Sequence, residues 1–180
     1  MCLDTSWLTP FLAIGGCVDE HHIESVVRTL RLRLVVDLRD EIRIAPDRWT
    51  VHGVEFLSLP TPDHYPIPLE MLNLGVSKIL NALALSQRVL VHCQFGIGRS
   101  ALMACCVLIA QGLDPVEAIR TAKRARPIVS PHPNQLHAML NFAQSWRLEH
   151  GMSAGSATWH DLASLAYATS RSADQADCLS

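Results

Sequence analysis

Short apolar runs alternate along the chain with longer segments in which apolar residues recur every three or four positions, as strands do when helices connect them. Phe11 to Ile14, closed by Gly15-Gly16, reads as a first strand. Ile23, Val26, Val27 and Leu30 fall on one face of a helix. Arg33 to Leu38 is apolar on both faces, as in a strand that helices cover on both sides. Asp37, Arg39 and Asp40 at its end are expected to be ion pairs or loop anchors. Arg43 to Gly53 is irregular around Pro46, and Val54 to Leu59 alternates as a further strand. Four prolines between Pro60 and Pro68 mark a stiff loop, because each fixes its own φ. Leu72, Val76, Ile79, Leu80 and Leu83 line a helix starting at Leu69 and leading to a strand at Arg88 to Val91. Ser100 to Ala110 is apolar all round and so predicts a buried helix. Asp114-Pro115 starts a helix bearing Arg120, Lys123, Arg124 and Arg126, a cluster read as a solvated face. Ser130-Pro131 is expected to cap a last helix with Leu136, Met139, Leu140, Ala143 and Trp146 along one side. The pattern predicts an α/β domain over residues 1–150, with a central, mostly parallel sheet flanked by helices. Residues 151–180, poor in large apolar side chains, are expected to be a mostly unstructured tail with a short helix near Leu162 to Tyr167.

Between the strand at Arg88 and the buried helix lies a glycine-punctuated loop, His92-Cys93-Gln94-Phe95-Gly96-Ile97-Gly98-Arg99-Ser100. Gly96 and Gly98 are expected to permit positive φ angles and close approach, so that consecutive backbone N–H groups converge on one anion beside a helix N-terminus. Cys93 in that field is favoured as the thiolate, the form of cysteine that attacks. Arg99 can bring a planar fork to two phosphate oxygens, and Ser100 is placed to donate to a departing sulfur. Gly96-x-Gly98-x-x-Ala101 also fits a dinucleotide fingerprint. That reading requires a second parallel strand ending in an acid about 20 residues on, and Gly112-Leu113-Asp114-Pro115 starts a helix instead.

With 180 residues, 49% of them hydrophobic and 18% charged, the chain has the composition of one soluble domain. A net charge of −2 offers no electrostatic footprint for nucleic acid or an acidic membrane surface, so no nucleic-acid partner is expected and anion recognition must be local. The six cysteines lack CxxC spacing and no secretory leader is evident, which suggests reduced thiols and a cytoplasmic setting. The adjacent Cys105 and Cys106 read as packing residues, though a role in resolving an oxidised Cys93 stays open. The nine histidines show no metal-ligand spacing, and neither a metal nor a cofactor is called for. No segment approaches the length of a membrane span. Cys178 is one residue short of a prenylation pattern, so no lipid anchor is expected.

A cysteine that takes a phosphoryl group leaves behind an alcohol or phenol, a poor leaving group that needs a proton donor. Asp63, on the stiff loop after a strand, is the candidate. The stretch His92 to Ser100 resembles the HCxxGxxRS signature of the cysteine-dependent protein phosphatases, specifically their compact dual-specificity branch. Ile14-Gly15-Gly16, Val35 to Arg39, Pro62-Asp63 and Arg126-Pro127 follow the same family's order, so the resemblance covers roughly residues 8 to 146. It implies Cys93 as nucleophile, Arg99 as phosphate clamp, Asp63 as general acid and then base, and Ser100 assisting the thiolate. Gln94 to Arg99 would bind the phosphate, with His92 and Gln135 in auxiliary roles. Some members place a water-orienting glutamine where Gln135 stands, and a plain helix-surface glutamine is the other reading.

The expected substrate is a phosphorylated protein, carrying phosphotyrosine and also phosphoserine or phosphothreonine, or a small phosphomonoester. A lipid, nucleotide or RNA end is the alternative within the same chemistry. The loop side chains Gln94, Phe95 and Ile97 are uncharged, which disfavours a multiply phosphorylated lipid. Thr61-Pro62-Asp63 stands where classical tyrosine phosphatases carry Trp-Pro-Asp. Two rivals remain: a rhodanese-like sulfurtransferase, whose loop spaces its arginine differently and needs no upstream acid, and an inactive phosphoprotein-binding module.

Overall fold

The computed structural model describes residues 4–153 and 155–168. Its elements run β1 (Thr5–Trp7), β2 (Leu12–Gly15), a single 3-10 turn (Glu20–His22), α1 (Ile23–Leu30), β3 (Leu32–Arg39), α2 (Asp47–Thr50), β4 (Glu55–Thr61), α3 (Leu69–Ala84), β5 (Arg88–His92), α4 (Arg99–Ala110), α5 (Pro115–Ala125), α6 (Pro133–Glu149) and α7 (Trp159–Ala166). The sheet order is β1-β2-β5-β3-β4, with β1 antiparallel and the other four strands parallel. This is the expected α/β architecture. β1 and α2 are additions: three and four residues are too few to display a period, and each is held by its neighbours rather than by its own pattern.

Alternation along the strands divides two cores. Leu34, Val36 and Leu38 of β3 and Val89 and Val91 of β5 face α3 to α7, whereas Val35 and Leu90 face α1 and the fully buried Trp49 of α2. α4 is buried from Arg99 to Ile109, sandwiched between the sheet and α3, α5 and α6. Gly75 lets α3 approach it, since a Cβ there would come within 2.5 Å of Met103 Cε. Pairing of Gly15 and Asp37 with His92 sets the carboxyl ends of β2, β3 and β5 at one level, so their loops converge at one edge of the sheet.

One helix start differs from expectation, and the short helix expected near Leu162 to Tyr167 is present as α7. α6 starts at Pro133 and is capped by His132, not by Ser130-Pro131. Both segments offer a residue before proline; the His132 side chain accepts the Asn134 N–H at 3.3 Å, while Ser130 serves the cradle, its N–H on the Ile97 carbonyl at 3.1 Å. Within the expected tail, α7 is capped reciprocally by Thr158 and Asp161 and packs Leu162, Ala163 and Ala166 into the larger core. Cys2, Cys178 and the tail beyond residue 168 lie outside the described residues.

Candidate active site

The cradle is built where β5 hands over to α4. Cys93 is buried, its Sγ accepting the Gly96 N–H at 3.3 Å and lying 3.5 Å from Ser100 Oγ. The carbonyls of four successive residues point outward onto partners. Gln94 O accepts from Cys17 N at 3.0 Å, Phe95 O from Arg126 Nη2 at 3.0 Å, Gly96 O from Arg126 Nε at 2.8 Å and Ile97 O from Ser130 N. Planar trans peptides then turn the following N–H groups inward, toward the sulfur, which is an anion nest at the N-terminus of α4. The two glycines serve different purposes. Gly96 has φ +67°, and a Cβ on it would meet the Gly15 backbone at 2.6 Å. Gly98 has an ordinary φ of −111°, contrary to the expected positive angle, and is needed for space because a Cβ would fall 2.6 Å from Gln135 Oε1.

Arg126 was read as part of a solvated basic face, and it is instead buried beneath the cradle, with Nη1 on Asp4 Oδ1 at 2.7 Å. Arg99 is fully buried as well. Its Nη1 donates to Glu41 Oε2 at 2.9 Å and to Thr61 O at 2.8 Å, and its Nη2 to Glu41 Oε1 at 2.7 Å, with Asp63 Oδ1 at 3.2 Å. Among the described residues Arg99 Nε has no hydrogen-bond partner, so a buried cationic donor is left for an anion. The Arg99 bond holds the Glu41 carboxyl at about 2, well below the usual carboxylate range. Sequence reading passed over Glu41; the only signal was an acid just beyond the carboxyl end of a strand beside the cradle.

Asp63 and Cys93 line one cavity of about 160 Å³, together with His64, Phe95, Ile97, Gly98, Ser130, His132 and Gln135. His64, at φ +64°, brings its Nε2 within 3.5 Å of Asp63 Oδ2. His92 and Gln94 do not join this wall. His92 points to the other face of the sheet, tilted against Trp49 and 3.7 Å from Asp37 Oδ2, and burial pushes its imidazole down to about 4, so it is neutral. Asp37 is itself gripped by Arg39 through bonds of 2.7 to 3.2 Å, the expected anchoring pair. Cys105 and Cys106 lie inside α4, where burial pushes the Cys105 thiol up to about 12 and raises that of Cys106 well above the ordinary thiol range, as suits packing residues.

Residues 16–145 match the family model of the dual specificity phosphatase catalytic domain. The chain belongs to this family. Within it, the phosphatidylglycerophosphatase and protein-tyrosine phosphatase 1 of Homo sapiens is 30% identical over 142 residues, 75% of this chain and 71% of that protein. Its Mus musculus counterpart is 40% identical over 96 residues, so the match spans about half of each chain. Among solved structures, PTPMT1 in complex with PI(5)P superimposes with a TM-score of 0.76 at 27% identity, covering 82% of this chain and 99% of that one. Tk-PTP in its active form gives 0.73 at 26% identity, over 79% and 98%. A phosphatase of the dual-specificity family is therefore the frame in which the cradle is read.

Proposed function

We propose that the chain hydrolyses singly phosphorylated monoesters through a phosphocysteine on Cys93, and that a phospholipid with a terminal phosphate is its preferred substrate class. The observation that carries the chemistry is the shared cavity. Cys93 and Asp63 line it, beside an inward-facing nest and an Arg99 Nε that has no partner among the described residues. In the first step the thiolate of Cys93 attacks phosphorus, the P–O ester bond breaks, and the leaving oxygen takes a proton from Asp63. In the second, water attacks phosphorus, the Asp63 carboxylate takes its proton, and the S–P bond breaks to give inorganic phosphate. Ser100 Oγ–H donates to the departing sulfur. The nest and Arg99 meet the charge that develops on the equatorial oxygens.

The substrate class rests on two supports. Gln94, Phe95 and Ile97 add no charge to the cradle, which suits one phosphate rather than several. The mouse and human relatives bear a phospholipid phosphatase name. The same name carries a protein-tyrosine phosphatase activity, so phosphotyrosine in proteins, with phosphoserine or phosphothreonine, is the second reading. The deciding experiment compares kcat/KM for phosphatidylglycerophosphate in mixed micelles with that for phosphotyrosine, phosphoserine and phosphothreonine peptides, using Cys93→Ser as blank. The lipid is expected to lead by about 10-fold or more. A peptide lead moves the assignment to protein substrates, and turnover by Cys93→Ser refutes the phosphocysteine.

A further inference from the structure

Gln135 is buried, with 1% of its surface exposed, and both ends of its amide are engaged. Oε1 accepts the His132 N–H at 2.9 Å, closing the cap of α6. Nε2 donates to the Tyr65 carbonyl at 3.0 Å, two residues past Asp63. These partners settle the orientation of the amide, because a backbone N–H can only donate and a carbonyl can only accept. The amide also rests on Gly98, where no Cβ would fit. One side chain thus touches the cradle, the start of α6 and the acid loop.

The acid loop needs such a tie. Its inner end is fixed by Thr61 O and Asp63 on Arg99 and its far end by Ile67 in the core; between them the Tyr65 N–H closes a turn on the Pro62 carbonyl at 3.2 Å, and that turn meets the start of α6 through Gln135 and through the His132 ring, whose centre lies 5.5 Å from that of His64. Asp63 must present its proton to the leaving oxygen within hydrogen-bond reach, and the peptide Asp63-His64-Tyr65 is short enough that release of Tyr65 would let the carboxyl swing.

We propose that Gln135 is a positioning residue, which holds Asp63 over the leaving group by binding the Tyr65 carbonyl. The proposal rests on Asp63 being the general acid. It gives Gln135 an effect on the first, leaving-group-dependent step, which kcat/KM reads, as well as on the second, where Asp63 acts as base. A glutamine that only aimed water would act in the second step alone, whose rate is the same whatever alcohol has departed.

The test is a leaving-group series, from nitrophenyl to alkyl phosphates, run on wild type, Gln135→Glu, Gln135→Met, Asp63→Asn and the Asp63→Asn/Gln135→Met double variant. Gln135→Glu keeps the volume and the acceptor for His132 N–H and lacks the donor for Tyr65 O, so it separates the tie from the fold. Both Gln135 variants are expected to lose about 10-fold or more in kcat/KM on alkyl phosphates; for Gln135→Met, which adds no charge to the cavity, the loss on nitrophenyl phosphate should be at most about 3-fold and the inhibition constant of inorganic phosphate unchanged. In the double variant the Gln135 loss should vanish, because there is no acid left to position. Equal losses on all substrates, a slowed phosphocysteine hydrolysis alone, or additive losses in the double variant overturn the proposal. If Asp63→Asn itself shows no leaving-group dependence, the acid assignment fails and the proposal with it; a normal Asp63→Asn pattern beside an indifferent Gln135 overturns the tie alone.

Discussion

At the scale of single residues, Glu41 and Arg99 decide how the cradle is charged. Two of the guanidinium's nitrogens are held by Glu41, Thr61 and Asp63, which among the described residues leaves Nε as the donor without a partner. Replacing Glu41 by Gln keeps a hydrogen-bond acceptor but removes the counter-charge of a buried arginine, so kcat/KM should fall by about 10-fold. An unchanged kcat/KM would show that the arginine is oriented by backbone alone. His92 supplies a pH prediction. Its folded value of about 4 lies below the ordinary 6.5, so as pH falls the unfolded chain takes up the proton first. The native state is at full strength above about 6.5 and loses up to about 3 kcal/mol on the way to pH 4. A melting temperature that stays level over that window would contradict it, and His92→Leu should flatten the slope. Cys93, Arg99 and Asp63 were legible because the signature is contiguous and the proline loop is distinctive. Glu41 was not, since its partner is 58 residues away and only the register of β3 beside β5 brings them together.

At the scale of elements, the loop between β5 and α4 has its shape imposed from outside. Arg126, at the end of α5, takes the Phe95 and Gly96 carbonyls and so keeps the N–H groups turned inward. Arg126→Met should raise KM and the inhibition constant of phosphate by about 10-fold with less effect on kcat, because it loosens the anion nest without touching nucleophile or acid. A loss confined to kcat would contradict that role. The helical periodicity of α5 could not reveal this, because the residue at its last position is read as solvated unless the neighbouring loop is known. The start of α6 was misplaced for a related reason: Ser130 looks like a cap, and tertiary structure assigns its N–H to the cradle.

At the scale of the whole molecule, the mostly parallel sheet covered on both faces followed from strands apolar on both faces and from one helix apolar all round, and both signals are local; the strand order was not legible, because pairing is set by contacts distant in sequence. The short helix near Leu162 was legible but its packing into the core was not, because two of its three buried side chains, Ala163 and Ala166, are too small to mark an apolar face. Leu162 has no exposed surface, so Leu162→Ala should cost about 2–4 kcal/mol in urea unfolding. A loss below 0.5 kcal/mol, the usual range of a surface substitution, would detach α7 from the core. The account as a whole stands on a covalent intermediate. The direct measurement is to mix enzyme with a radiolabelled phosphomonoester, denature it during the burst of alcohol release, and locate the label. Phosphate bound to the Cys93 peptide in step with the burst, and absent from Cys93→Ser, is the predicted result; a burst with unlabelled protein, or label on another residue, would contradict it.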